Sequence, residues 1–172
     1  MKYPALHLPA LCAAALLLGS CASAHRVEFK ESDFANFAVT GSGTVRGKAF
    51  RIRSDSSTVV ETGGTVVRLI PANAYTNEIV ERKYTNREWL TRADARLAKY
   101  VREVETDDHG HFAFTQVPPG NYYVSCHVQW TEPAKGDRTL VEAEARGDEW
   151  LSNPVVVKNG EVATVTGWAQ GK

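Results

Sequence analysis

Period-two alternation dominates the second half of the chain. Tyr122, Val124, Cys126, Val128 and Trp130 fall on one side of an extended run, and Tyr123, Ser125, His127 and Gln129 on the other. Side chains of a strand point alternately to the two faces of a sheet, so this stretch predicts a half-buried antiparallel strand. His111 to Gln116 alternates too, with Phe112 and Phe114 on one face. Leu140 to Arg146 sets Val141, Ala143 and Ala145 against Glu142, Glu144 and Arg146, although its Ala and Glu content also fits a helix. Thr65 to Ile70 is a short, nearly continuous apolar run closed by Pro71. Thr44 to Arg53 is rich in β-formers, but Val45 and Phe50 have opposite parity. That predicts either a bulge near Ala49 or a strand only partly buried. Pro154 to Val157 and Val162 to Trp168 flank Asn159-Gly160, a strong hairpin dipeptide.

Turn signals punctuate these runs at Asp55-Ser56-Ser57, Gly63-Gly64 and Pro118-Pro119-Gly120-Asn121. Several short strands with frequent turns predict an all-β fold, a single antiparallel β-sandwich of about seven strands. Residues 76–99 break the pattern. They carry Glu, Arg, Lys, Leu and Ala without alternation and predict a short helical insert. Thr76 is the expected N-cap of a helix reaching Arg82, and Ala93 to Lys99 reads as a second helical turn. Residues 22–42 hold Ser, Thr, Asn and Gly with Phe29, Phe34 and Phe37 scattered among them. This reads as a weakly structured tether whose aromatics pack onto the domain edge. The expected organisation is a signal over 1–20, a tether over 21–42 and one sandwich over 43–172.

The amino terminus follows a different rule. Lys2 precedes an apolar stretch from Ala10 to Leu18, and Gly19-Ser20-Cys21 follows. A basic start, a short apolar core and a small-residue exit mark a secretory signal. The apolar run is too short to span a bilayer, which takes about 20 apolar residues. Leu18-Gly19-Ser20-Cys21 resembles the lipobox of bacterial lipoproteins. The resemblance implies cleavage before Cys21, acylation of its thiol and a durable membrane anchor. Ala22 stands where an Asp would resemble an inner-membrane retention signal, so the expected location is the outer membrane, facing the periplasm. Ala22-Ser23-Ala24 also reads as an ordinary cleavage site, which would free the chain into the periplasm from His25 onward.

Composition narrows the partners. The chain has 20 basic and 20 acidic side chains, and loss of Lys2 leaves 19 basic ones. Such a balance has no electrostatic footprint for nucleic acid. With Cys12 in the signal and Cys21 acylated, Cys126 is the domain's one thiol, so no intramolecular disulfide is expected. Its place between Val124 and Val128 predicts a buried, inert side chain.

Four stretches carry a family resemblance. Gly43-Thr44-Val45-Arg46-Gly47-Lys48-Ala49-Phe50 resembles the opening strand of carboxypeptidase regulatory-like domains, which are transthyretin-like β-sandwiches. Gly64-Thr65-Val66-Val67-Arg68-Leu69-Ile70-Pro71 resembles their second strand. Thr106-Asp107-Asp108-His109-Gly110-His111-Phe112-Ala113-Phe114 is similar to their T-D-x-x-G-x-F-x-F hairpin, and Val117-Pro118-Pro119-Gly120-Asn121-Tyr122-Tyr123-Val124 to their L-P-P-G-x-Y turn. The insert over residues 72–99 departs from a minimal domain of this kind and resembles segments of bacterial lipoproteins. The resemblance implies a non-catalytic accessory or binding module and names no ligand.

Candidate chemistry is sparse. Asp107, Asp108, His109 and His111 are metal-ligand types, but the family pattern calls for Asp and Gly there as turn formers. Ser125 and His127 share a strand face and project in parallel, with no nucleophile elbow nearby. No catalytic residue, metal or cofactor is expected. The rival reading is a small metal-dependent or His-based periplasmic hydrolase built on His109, His111 and His127. Tyr75, Tyr84, Trp89 and Tyr100 fall in or beside the insert, and Trp150 in a loop. Those four are the candidate partner-binding aromatics, unless they tie the insert to the sandwich. Lys48 and Asn153 are a remote candidate for an isopeptide pair. The expected function is that of an envelope lipoprotein presenting a sandwich to a protein or glycan partner, with the insert as contact surface.

Overall fold

The computed structural model describes residues 24–52, 59–61, 63–88, 90–133, 143–152 and 154–170. The signal, Cys21, the Asp55-Ser56-Ser57 turn, Trp89 and Asn153 lie outside the described residues. In chain order the strands are β1 (Gly43–Ile52), β2 (Val59–Glu61), β3 (Val66–Pro71), β4 (Arg102–Glu105), β5 (His111–Val117), β6 (Gly120–Pro133), β7 (Ala143–Leu151), β8 (Val155–Val157) and β9 (Val162–Gln170). They form two sheets. β6 is central to one, with β3 on one edge and β7 and β8 end to end on the other; β4 flanks β3. β1 is central to the second, with β5 and β2 end to end on one edge. The other edge of β1 carries β9, which runs parallel to it over Thr44 to Ile52 and departs from the antiparallel expectation.

The core lies between the sheets. Val45, Ala49, Phe112, Phe114 and Val165 from one face meet Val67, Leu69, Tyr122, Val124, Cys126 and Val128 from the other. The clean alternation in β6 therefore reports the core correctly, and Cys126 is buried in it as expected. β1 settles its ambiguous parity without a bulge of its own. Val45, Gly47 and Ala49 face inward, Phe50 is half-buried, and the register with β9 is unbroken. The irregularity is in β5, where the pairing with β1 shifts and Gln116 takes a φ of 55°. Gly47 is required by the close approach here. A Cβ at this position would collide with the Val165 carbonyl oxygen and the Phe112 ring.

Three reversals that look like hairpins carry the chain between sheets instead. Asn159-Gly160 joins β8, paired to β6, with β9, paired to β1. The Thr106-to-Phe114 stretch likewise joins β4 of one sheet to β5 of the other. Its local closure is as expected. Asp107 Oδ1 accepts from the backbone N–H groups of His109 and His111, and Gly110 takes a φ of 80°. The Pro118-Pro119 turn joins β5 to β6, and the Tyr122 hydroxyl donates back to the Pro118 carbonyl at 2.9 Å. Burial pushes that hydroxyl up to about 12, so it stays a donor. Trp150, expected in a loop, has its backbone in β7 opposite Cys126.

Candidate functional site

The insert begins where β3 ends. Asn73 caps α1 (Ala74–Ile79): its side chain accepts from Thr76 N at 3.1 Å, while Thr76 Oγ1 accepts from Asn73 N at 2.9 Å. Thr76, the expected N-cap, is thus the third residue of the helix. It closes the capping box and also donates to the Pro71 carbonyl at 2.6 Å. The helix widens into a π-helical turn over Val80–Thr85, a form that recurs at functional sites. The second turn is a 3-10 helix, Ala95–Lys99, capped by Asp94.

The stretch expected as a tether is packed from Ala24 onward. Glu31–Phe37 form a 3-10 helix. Phe29 and Phe34 are buried with Tyr75 in a second apolar cluster, against Val27, Ile79, Leu97 and Tyr100. Phe29 stacks on Phe34 at 4.8 Å, and Phe34 on Tyr100 at 4.7 Å. Further along, Phe37 meets Tyr122 edge-on at 5.3 Å. Residues 24–37 therefore form a strap across the insert, and its aromatics are the nails.

A polar clamp holds the start of the strap. Glu78 accepts from the backbone N–H groups of Arg26 and Val27, both at 2.7 Å. Arg82 Nη1 donates to Glu78 Oε1 at 2.7 Å and to the Ala24 carbonyl at 2.8 Å, while its Nε donates to Glu88 at 2.7 Å. Glu78 and Arg82 are only 8% and 4% exposed, a depth at which charges persist only when fully paired. Burial opposes ionisation of Glu78, but the two backbone donors and Arg82 overcome it and lower its pKa to about 2.

Between strap and insert lies a groove of about 710 Å³, lined by His25, Ile79, Lys83, Arg87, Glu88, Leu90, Thr91, Arg92 and Ala93. Its size is that of a small-molecule site. Ile79, Leu90 and Ala93 make an apolar floor. Lys83, Arg87 and Arg92 are exposed cations around it. The single carboxylate in the lining, Glu88, is engaged by Arg82. Arg87 holds a left-handed φ of 55°, uncommon for a side-chain-bearing residue. Both ring nitrogens of His25 are shut off from solvent and meet no hydrogen-bond partner among the described residues. Leaving a polar group so placed costs about 1–3 kcal/mol.

The candidate aromatics divide. Tyr75 is 2% exposed and its hydroxyl accepts from Asp94 N at 2.7 Å. Tyr100 is committed to Phe34 and Phe29. Tyr75 is sealed in the second core, and half-buried Tyr100 packs against it. Tyr84 is half-buried beneath Lys83, whose Nζ lies 4.7 Å from its ring centroid. Asp107 is occupied with its own turn, its second oxygen 3.3 Å from His111 Nδ1. No group of three or more ligating side chains gathers among the described residues. Ser125 is buried and His127 exposed. Tyr123, on the same face as these, is covered by α1 and donates to Asn77 Oδ1 at 3.0 Å. No helix among the described residues is long and apolar enough to cross a membrane.

The groove residues were not singled out by sequence pattern. Glu78 and Arg82 carry a legible signal, the four-residue spacing of a helical ion pair. His25 carries none, because its role depends on the strap folding back over fifty residues of intervening chain.

No protein-family model and no curated protein matches the chain. Solved structures do. A Pseudomonas aeruginosa protein described as a "putative carbohydrate binding protein" superposes with a TM-score of 0.67 and 24% identity, over 83% of this chain and 99% of that one. GBS52, the minor pilin of Streptococcus agalactiae, matches with a TM-score of 0.38 and 16% identity, over 78% of this chain and 46% of the pilin. The first likeness establishes the shared sandwich fold.

Proposed function

We propose that the chain is a lipid-anchored, non-catalytic module of the cell envelope that binds a glycan through the groove between strap and insert. The observation that carries this reading is the groove itself: an apolar floor ringed by cations, with the His25 ring in its lining. Binding sites for small polar molecules combine an apolar surface with a few placed polar groups. The Pseudomonas protein of the same fold is described as a "putative carbohydrate binding protein", which favours a glycan over a protein partner. The carboxypeptidase regulatory-like resemblance points the same way, toward an accessory module.

Two features support anchoring at Cys21. The lipobox-like Leu18-Gly19-Ser20-Cys21 is one. The other is the Ala24 carbonyl, which accepts from Arg82. Cleavage after Ala24 would remove that acceptor and leave a charged amine near the Arg82 guanidinium. Cleavage before Cys21 keeps the clamp whole and sets the domain close to the acyl chains, facing the periplasm from the outer membrane. Growth with a labelled fatty acid should tag the wild type and not a Cys21→Ser variant. Absence of label on the wild type would overturn the anchoring.

The binding reading is tested on the mature chain by titration calorimetry against a panel of soluble envelope oligosaccharides. Saturable heat with at least one, lost in the double variant Arg87→Gln/Arg92→Gln, is the expected result. Binding that survives both substitutions would place the site elsewhere, and silence across the panel would remove the glycan.

A further inference from the structure

We infer that the groove takes a negatively charged saccharide, a sugar bearing a phosphate group, in preference to a neutral one. This rests on the glycan-binding reading and narrows it to a ligand class.

The charge around the groove is one-sided. Lys83, Arg87 and Arg92 are spaced along the insert so that all three reach the same rim. Arg82, their near neighbour, is neutralised by Glu78 and Glu88. Arg96 is neutralised by Asp94 at 2.8 Å, and Lys99 lies 3.5 Å from Glu31. Arg87 and Arg92 meet no carboxylate among the described residues. The insert thus pairs its other arginines internally and turns these two toward the groove. The left-handed backbone at Arg87 sharpens the point. Such a conformation is retained where the surroundings hold it, and it often marks a ligand-contacting residue. Planar guanidinium groups match the oxygen spacing of a phosphate through paired N–H donors.

His25 completes the site from the strap side. Its ring lines the groove and packs at 5.2 Å from Tyr75, and its two nitrogens are closed to solvent without a hydrogen-bond partner among the described residues. A phosphate oxygen or a sugar hydroxyl reaches either nitrogen once the ring turns toward the groove, since imidazole can donate from one nitrogen and accept at the other. The apolar floor of Ile79, Leu90 and Ala93 suits the C–H face of a sugar ring. A bare phosphate would leave that floor uncovered, and a neutral sugar would leave the arginines unanswered. The ligand that uses both halves carries both.

The experiment compares glucose 6-phosphate, glucose and inorganic phosphate as probes of the unacylated mature chain, by calorimetry and by chemical-shift changes of His25. Glucose 6-phosphate should bind about tenfold or more tightly than either of the other two, the effect of one charge-assisted contact pair. Arg87→Gln/Arg92→Gln should erase that preference while far-ultraviolet circular dichroism stays unchanged, and His25→Phe should weaken binding without erasing it. Vesicles of phosphatidylglycerol in phosphatidylcholine form a separate arm. Capture by these vesicles with no response to the phosphosugar would overturn the inference in favour of lipid headgroups. Equal binding of glucose and glucose 6-phosphate would overturn it while leaving the glycan reading standing. Failure of every saccharide, charged or neutral, would overturn both.

Discussion

Glu78 carries a charge where little water reaches it, and the strap supplies what the solvent does not. Its pKa falls from an ordinary 4.5 to about 2 because burial is outweighed by the Arg26 and Val27 N–H groups and by Arg82. A carboxyl with a depressed folded-state pKa adds stability that is complete above its unfolded pKa and disappears as pH falls toward the folded one. The strap should therefore loosen between pH about 4.5 and about 2, seen as faster hydrogen exchange at residues 24–29 while β6 stays protected. Glu78→Gln should loosen the same segment at neutral pH, at a cost of about 3 kcal/mol for leaving Arg82 partly unpaired in a buried place. Exchange at the strap that ignores both pH and substitution would show that the clamp does not hold it. Gly47 marks a different residue-scale constraint. Gly47→Ala should cost about 1–3 kcal/mol, read as a lower urea midpoint, because backbone on β9 cannot yield to the new methyl. Gly64, with open space around it and a φ of 67°, should lose only about 1 kcal/mol on the same change.

At the scale of elements, strands were easier to foresee than their partners. The alternation in β6 and the paired phenylalanines of β5 were legible because one face of each strand is apolar core; the other face is open to water in β5, whereas in β6 the insert covers it at Tyr123. The turns were legible as turns. Asn159-Gly160 and the Asp107-to-Gly110 stretch reverse the chain as their residues require, but each lifts it from one sheet to the other. A turn dipeptide specifies local φ and ψ, and those angles alone do not say whether the flanking strands pair. The Pro118 turn shows how such a crossing is fastened. Tyr122→Phe should remove the bond to the Pro118 carbonyl and cost about 1 kcal/mol, measured by thermal or urea unfolding. A neutral result would mean that the buried ring alone fixes the corner. The insert was legible as helical, yet its cap sits three residues earlier than the sequence suggested. Thr76 has the chemistry of a cap, but Asn73 reaches the same hydrogen bonds from outside the helix.

At the scale of the whole molecule, the described residues form two apolar clusters. The larger fills the sandwich, and the smaller joins strap to insert. Phe34→Ala should open the smaller one, at about 3–5 kcal/mol for a fully buried ring, and speed exchange over 24–37 and 74–100. Exchange in β3, β5 and β6 should change little. Uniform acceleration through all strands would instead mean that the two clusters unfold as one. The same division alters what a deletion would report. Removing residues 76–99 would strip the cover from Tyr123 and expose Phe29 and Phe34, so lost binding in that variant would not separate contact from folding. Substitution of Arg87 and Arg92, which are exposed, keeps the two apart.

The sequence by itself determined the sandwich, the place of its core strands, the buried Cys126 and the helical character of residues 76–99. These follow from alternation, turn chemistry and composition, which act over a few residues. The tertiary structure decided the rest: parallel pairing of β9 with β1, the strap in place of a loose tether, burial of Tyr75 with Tyr100 packed beside it, and the convergence of His25 with Lys83, Arg87 and Arg92. Each of these depends on segments distant in sequence meeting in space. Local patterning fixes which face of a segment is apolar, whereas only packing selects the surface that face will meet.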